Sequence, residues 1–424
     1  MQNSNKRAFR LAAAFAATLA ATAAGAVDIV SGDWKFSVNG NINVDYIYSS
    51  CQSASSAERI DTVGGACTGS ASGSSVSNVG NGLLPAAITF GISTTQNGYD
   101  IAAHFGLYPG IASNDSGSPN LQQNSTAFGT NVGLATTGLD VRQVYLTFGN
   151  KEIGTFTFGR NFGLFGFDAI INDMTLPGVG VGGSASTASP SNTTLGSIGF
   201  GYLYVDTLAQ MDYTTPDIAG FNFTAGIFAP INPIDGTNYT ARKAPGFHGK
   251  ATYTLKMADD MKFYASATFI TQKENSQVGT GATAVNGPAY TSTGADIFAK
   301  FDVAGFEVDA SYYYGKGMGT TGLFILASDG AGNARKSDGY LIQGTYTVGA
   351  VKFGVNYGVS KLDLANAADD PFLLEKNSKV TGGIYYSLTK NLTLLGEVSG
   401  VKTQAHNGNE NKSTNGNFGA FMSF

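Results

Sequence analysis

From Trp34 to Tyr48 the chain alternates: Trp34, Phe36, Val38, Ile42, Val44, Tyr46 and Tyr48 fall on one face, and Lys35, Ser37, Asn39, Asn41, Asn43 and Asp45 on the other. A period of two predicts a strand with two unlike faces. The pattern recurs in pairs of runs joined by short turns. Leu84 to Thr94 and Tyr99 to Tyr108 meet through Asn97-Gly98, a strong hairpin signal. Val141 to Gly149 and Gly154 to Arg160 flank Asn150-Lys151-Glu152, both rich in residues that favour pleated structure. Further pairs turn at Pro216 to Gly220, Ala258 to Asp260, Ala304-Gly305, Gly349-Ala350 and Thr389 to Asn391, and a last run ends at Phe424.

These runs predict sixteen strands, seven tight turns on one edge, eight long polar loops on the other, and a first strand paired with the last. An even count with that division of turns and loops is the pattern of a transmembrane β-barrel, here all-β and antiparallel. Sixteen strands enclose enough space for an aqueous channel. Charge placement agrees, because a cation facing lipid at mid-membrane costs roughly 2–4 kcal/mol. Glu307 and Asp309 oppose Phe306 and Val308; Asp296 and Lys300 oppose Ile297 and Phe301; Lys352 opposes Phe353; Glu397 opposes Val398. Lys35, His104, Glu307 and Asp309 are thus expected to line the pore.

One hairpin breaks the rule. Arg142 shares parity with Val144, Leu146 and Phe148, and Arg160 with Phe156 and Phe158. We expect the apolar row to face the lumen and to pack against Phe162, Leu164, Phe165, Phe167, Ile170 and Ile171 of the long connection that follows. That third loop, residues 161–199, would then fold back inside the barrel. The remaining face, with Gln143, Tyr145, Thr155 and Thr157, would meet another subunit.

Composition narrows the choice. The chain holds 57 Gly, 28 Phe and 20 Tyr with only 13% charged residues, too little charge to coat a soluble protein of this size. Lys6, Arg7 and Arg10 followed by an uncharged run to Ala24-Gly25-Ala26 predict a secretory signal over residues 1–26, leaving 27–424 as the barrel. Without those three cations, 22 of the 25 Lys and Arg remain against 30 Asp and Glu, a formal charge of about −8 that argues against nucleic acid. Cys51 and Cys67 lie in a polar stretch of an exported chain, and are expected to form a disulfide that restrains a loop tip. His104, His248 and His406 have no Ser or Asp beside them in a triad or dyad motif, so a barrel enzyme is disfavoured. No cofactor or metal is expected. Tyr202 and Tyr204, read as strand residues facing the lumen, are candidates for a sugar-binding track, and Asp168 and Asp173 for caps of a helical turn in Phe167 to Met174.

The Arg-Gln-x-Tyr strand at Arg142, Gln143 and Tyr145, the Gly-x-x-x-x-Gly-Arg-Asn run from Gly154 to Asn161, the long third loop and the terminal Phe424 together resemble the trimeric general-diffusion porins of the Gram-negative outer membrane. The resemblance implies a homotrimer in outer-membrane lipid and a water-filled channel for small hydrophilic solutes and ions. It implies a constriction in which acids on the third loop face bases on the wall. Carried over by position, Arg142 and Arg160 match basic members of the constriction, and Asp168 and Asp173 its acids. Leu176-Pro177-Gly178-Val179 stands where an acidic Pro-Glu-Phe-Gly-like element is common, and the early strands have no dense arginine ladder. The acidic chain predicts weak cation preference, with a porin selective for sugars or dicarboxylates as the alternative.

Overall fold

In a membrane every backbone N–H and C=O must find a partner within the protein, so strands can cross only as a closed ring. The computed structural model describes residues 27–52, 59–67, 75–111, 139–182, 193–233, 243–278 and 285–424. The strands are β1 (Val27–Ser31), β2 (Trp34–Cys51), β3 (Ser75–Gly80), β4 (Ala87–Gln96), β5 (Tyr99–Pro109), β6 (Leu139–Asn150), β7 (Gly154–Phe162), β8 (Thr207–Thr214) and β9 (Phe221–Phe228). They continue with β10 (Gly246–Ala258), β11 (Met261–Val278), β12 (Val285–Val303), β13 (Phe306–Lys316), β14 (Lys336–Val348), β15 (Val351–Leu362), β16 (Leu374–Ser387), β17 (Leu392–Ala405) and β18 (Glu410–Ser423), with one helix, α1 (Phe167–Asn172). The expected signal segment lies outside the described residues.

Neighbouring strands pair antiparallel throughout, and β18 on β2 closes the ring. The eighteen segments make sixteen staves, as expected. β3 and β4 share one stave: β3 pairs with Asp45–Ser50 of β2, and β4 with Trp34–Asn41. On the other edge of β2, β18 pairs with Asn41–Cys51 and β1 with Trp34–Val38. Between them Phe424 exchanges hydrogen bonds with Gly40 at 2.8 and 2.9 Å. Alternation sorts the faces: Ile297, Phe306 and Val308 are exposed toward lipid, while Asp296 and Asp309 are buried on the inner side.

The loops differ from expectation in three places. The strand expected from Gly201 starts at Thr207; Tyr202, Leu203 and Val205 are apolar because they are buried in the third loop. β11 runs on to Val278 and β12 begins at Val285, both within a polar, Gly-containing stretch that reads as a long loop. The eighth long loop is only the connection from His406 to Asn409.

The parity break at Arg142 has a local cause. Gly106 pairs with Gln143 but Leu107 with Val141, so Arg142 is an extra residue in β6, a β-bulge. The bulge lets Asp140, Arg142, Gln143 and Tyr145 all lie buried, while Leu139 and Val141 before it and Val144 and Leu146 after it are exposed. The expectation that Val144, Leu146 and Phe148 face the lumen is therefore overturned: the apolar row faces outward, and Gln143 and Tyr145 do not. On that outer face Phe148, Phe156, Phe158 and Tyr213 form one aromatic cluster.

The third loop finds its apolar partners elsewhere. Ala169, Ile170, Val181, Leu195, Ile198 and Phe200 pack with Cys51 at the end of β2, with Ala66 and Cys67 of the connection to β3, and with Leu83 between β3 and β4. Phe165 and Leu203 pack with Met318, Leu323, Phe324 and Ala327, between β13 and β14. Cys51 and Cys67 are bonded, with Cα atoms 5.3 Å apart. Both are buried in that first cluster, because Cys51 is the last residue of β2 and not part of a loop tip. At the rim, Arg335 forms an ion pair with Asp369 at 2.7 Å, and Asp61 bridges to Leu373.

Two outcomes are expected. Replacing both cysteines with alanine lowers the unfolding free energy by about 3 kcal/mol and speeds proteolysis between β2 and β3; unchanged denaturation and digestion would refute the role given to the bond. The Arg335 guanidinium holds the Asp369 carboxyl down at about 2 from its ordinary 3.8, a lowered value whose stabilisation is complete above the ordinary value and lost as pH falls through the lowered one. Hydrogen exchange at Ala365 to Asp370 should thus stay slow at pH 4 and rise only as the solution approaches about pH 2; Arg335→Gln should raise it at neutral pH.

Candidate pore constriction

Gly166 is left-handed and leads into α1, which has no side-chain cap. Asp168 therefore does not cap its N-terminus, while Asp173 stands at its C-cap, with its backbone N–H donating to Ile170 O at 3.3 Å. Asp168, buried, accepts from Tyr264 Oη at 3.2 Å and from Ser266 Oγ, and pairs with Lys250 Nζ at 2.7 Å. Lys250 also lies 5.0 Å from the Phe167 ring centre. Asp173 turns back into its own loop: it accepts from Thr175 N and Oγ1, from Ser197 N at 3.1 Å and from Tyr202 Oη at 2.8 Å. Asn356 Nδ2 reaches it from β15 at 3.3 Å. Burial pushes the Tyr202 hydroxyl well above its ordinary value, and the Asp173 charge adds to the effect. Tyr202 and Tyr204 precede β8 and are taken up by the third loop and its contacts, so these two are not the strand residues expected to form a sugar track.

Arg142 is buried against Asp140 at 3.0 Å, with its guanidinium 5.4 Å from the Tyr108 ring centre and 3.4 Å from Tyr204 Oη. Arg160 goes elsewhere. It pairs in register with Val144 and Ala209, both exposed, so it stands on the outer face and is not brought together with Asp168 and Asp173. There it sits near the end of β7, and opposes the upward push that burial gives the Asp206 carboxyl. Lys35 forms an ion pair with Asp28 at 2.9 Å at the turn end of β2. His104 stacks on Tyr145 with ring centres 4.6 Å apart. Glu307 pairs with Lys300 at 2.6 Å, and Asp309 accepts from Gln343 Nε2 at 2.8 Å.

Alternation already placed Glu397 and Asp296 on the inner face, but nothing in the sequence marked them, or Lys379 and Gln343, as holding the loop. Glu397 of β17 accepts from Val179 N at 2.9 Å, Gly180 N at 2.8 Å and Tyr385 Oη at 2.6 Å. A side chain at Gly178 would collide with that carboxylate. This explains Leu176-Pro177-Gly178-Val179: the acid comes from the wall and the loop supplies the N–H groups. Lys379 of β16 donates to Gly196 O and Ser197 Oγ, both at 2.7 Å. Gln343 of β14 accepts from Met174 N at 2.9 Å and donates to Asn172 O. Asp296 of β12 accepts from Gly166 N at 2.8 Å. The stave shared by β3 and β4 joins in: Leu83 N donates to Gly178 O at 2.7 Å, and Thr194 N to Gly82 O at 3.0 Å.

One His–Asp pair does form. His248 Nε2 lies 2.7 Å from Asp212 Oδ1 across β9, where Gly226 leaves room for the carboxylate. His248 packs on Phe228, 5.1 Å between ring centres, in a buried structural contact.

Comparison with known proteins agrees with this architecture. The family model described as Gram-negative porin matches residues 11–406. No curated protein matches the sequence. Among solved structures, the outer membrane channel DcaP of Acinetobacter baumannii is 15% identical, with 93% of this chain and 99% of that one covered and a TM-score of 0.66. Salmonella typhi OmpF, in complex with daunomycin, is 14% identical over 94% of this chain and all of its own, with a TM-score of 0.53. OmpT of Vibrio cholerae is 12% identical over 94% of this chain and all of its own, with a TM-score of 0.52. At such identities the structures speak for the fold, and the family match across nearly the whole chain speaks for descent: the protein belongs to the Gram-negative porins and is an outer-membrane channel, not an enzyme.

Proposed function

We propose that the third loop crosses the lumen and sets its cross-section, making the protein a passive channel for small hydrophilic solutes and ions, weakly cation-preferring and trimeric. The anchoring of the loop carries this reading. It leaves the ring at β7 and returns at β8, yet it is bonded to Gln343, Asn356 and Glu397, near the middle of β14, β15 and β17. β15 stands eight staves of sixteen away from β7. A connection that reaches the inner face there runs through the space between.

Cation preference follows from how the wall acids are answered. Glu397 and Asp296 accept from loop N–H groups and neutral side chains, Asp309 from an amide, and Asp45 from Asn417 Nδ2 at 3.1 Å. Charges met by neutral donors keep their field in the channel, and a lumen lined by one sign biases the ions admitted. Lys352 supports the selective alternative: its ammonium lies 4.9 Å from the Tyr385 ring centre and, among the described residues, forms no direct ion pair, so a passing carboxylate could pair with it in competition with Glu307, Glu397 and Asp309 nearby.

In planar bilayers the purified protein should insert in steps of three equal conductances, and a salt gradient should give a reversal potential of cationic sign; an anionic sign would reject that preference. A dicarboxylate that lowers the current saturably, with the effect lost in Lys352→Gln, would replace it with the selective reading. Glu397→Gln should cost about 1–3 kcal/mol of stability by leaving buried donors poorly matched, and should raise single-channel conductance as the loop loosens. Unchanged conductance in a variant of reduced stability would show that this anchor does not set the aperture.

A further inference from the structure

The connection between β13 and β14 holds a short apolar run, Leu323 to Ala327, among Gly, Thr and Ser residues. Its centre is buried. Met318, Phe324 and Ala327 are wholly enclosed and Leu323 nearly so. They share one cluster with Leu208 of β8, Phe228 of β9 and Ile270 of β11, buried side chains of the inner face. β8 stands five staves from β13. A connection whose side chains join that cluster leans over the bore and does not stand out from the rim.

Its backbone is held in an unfavourable form. Thr321, Phe324 and Leu326 have φ of 66°, 64° and 60°, left-handed values that bulky side chains keep only where their surroundings over-determine them. Those surroundings meet at Thr321. Its Oγ1 donates to Val63 O, in the connection between β2 and β3, and its carbonyl accepts from Tyr204 N of the third loop at 2.8 Å. The approach is close enough that a side chain at Gly199 would run into Thr321. Asn377 of β16 ties the other two connections to the wall, donating to Gly64 O and Gly199 O, both at 3.1 Å. Asn377 accepts in turn from Thr403 Oγ1 at 2.7 Å, and Thr403 Oγ1 from Ala66 N at 2.7 Å, beside the bonded Cys67. Three connections thus meet in one knot, and the disulfide closes one of them.

We propose that this knot sets a second aperture at the long-loop mouth, in series with the third loop, with Thr321 as its positioning residue and the Cys51–Cys67 bond as its tether. The inference rests on the channel reading above and adds an element to it. The Thr321 hydroxyl holds the β13–β14 connection to a segment that the disulfide holds to β2. Without either link the connection loses its hold on that side, and its left-handed residues relax away from the bore. The solutes refused at this mouth are the larger hydrophilic ones. They are sorted by size and not by charge, because the knot is made of hydroxyl, amide and backbone groups.

The test reads the bore from each side. Neutral polyethylene glycols of graded size are added to one chamber or the other of a planar bilayer holding the purified protein, the long-loop side being the chamber from which added protease cuts. A polymer that enters displaces electrolyte and lowers the current. For the intact protein a range of sizes should lower it from the turn side and leave it unchanged from the long-loop side. Thr321→Val and C51A/C67A should lose this sidedness, with the same polymers entering from both, and Thr321→Ser, which keeps the hydroxyl, should retain it. Entry from the turn side reports that each variant is folded and open. Sidedness retained by Thr321→Val or by C51A/C67A overturns the proposal. So does an intact protein without such sidedness, which would leave the third loop as the aperture. A folded intact protein that carries no current would overturn the channel reading itself, and this inference with it.

Discussion

The requirement that no backbone donor or acceptor be left unpaired in lipid governs this molecule. It forces the sheet to close, and closure explains the odd segments at the seam. β18 stops at Phe424, and β1 takes up the same edge of β2 from Val38 onward. On the opposite edge β3 and β4 divide the work, and the break between them is filled from inside: Asn41 and Asn43 donate to the carbonyls of Pro85 and Leu84, while the freed amides turn to the third loop. What looks like irregularity is pairing completed by other means.

The same constraint applies to the third loop. A long connection buried against a wall carries many backbone groups, and each must be answered. The wall supplies Glu397, Asp296, Gln343 and Lys379 for this purpose, acceptors where the loop presents N–H groups and donors where it presents carbonyls. The carboxylates thus have two effects at once: they fix the loop, and they place negative charge beside it. Removing one partner of such a contact costs more than the contact itself contributes, because the other is left buried.

Much of the wall was legible in the sequence because a period of two is a local property. Sixteen staves, the outward rows of Ile297 and Phe301 or Phe306 and Val308, and the closure of the last strand on the first all follow from it. Two failures have local physical causes. A bulge of one residue at Arg142 reverses parity, and nothing in the residues around it distinguishes a bulge from a row of apolar side chains facing the lumen. Tyr202 to Val205 is as apolar as a strand because burial in a loop asks for the same residues. The site was less legible. The resemblance implied loop acids facing wall bases; Asp168 does pair with Lys250 of β10, but Asp173 is taken up by its own loop and Arg160 stands outside, and the bond from Glu397 to Val179 spans 218 residues, a distance over which pattern carries no information.

The break between β3 and β4 has a consequence for assembly. Residues Gly82 to Leu84 belong to the wall by position and to the third loop by hydrogen bonding, and the seam beside them joins Asp45 to Asn417, 372 residues apart. Contacts so distant in sequence form slowly, since the chain between them must be ordered first. Until the third loop arrives, Leu83 N, Leu84 N and Gly82 O lack the partners they have in the folded protein, and a wall closed without that loop would leave those groups unanswered.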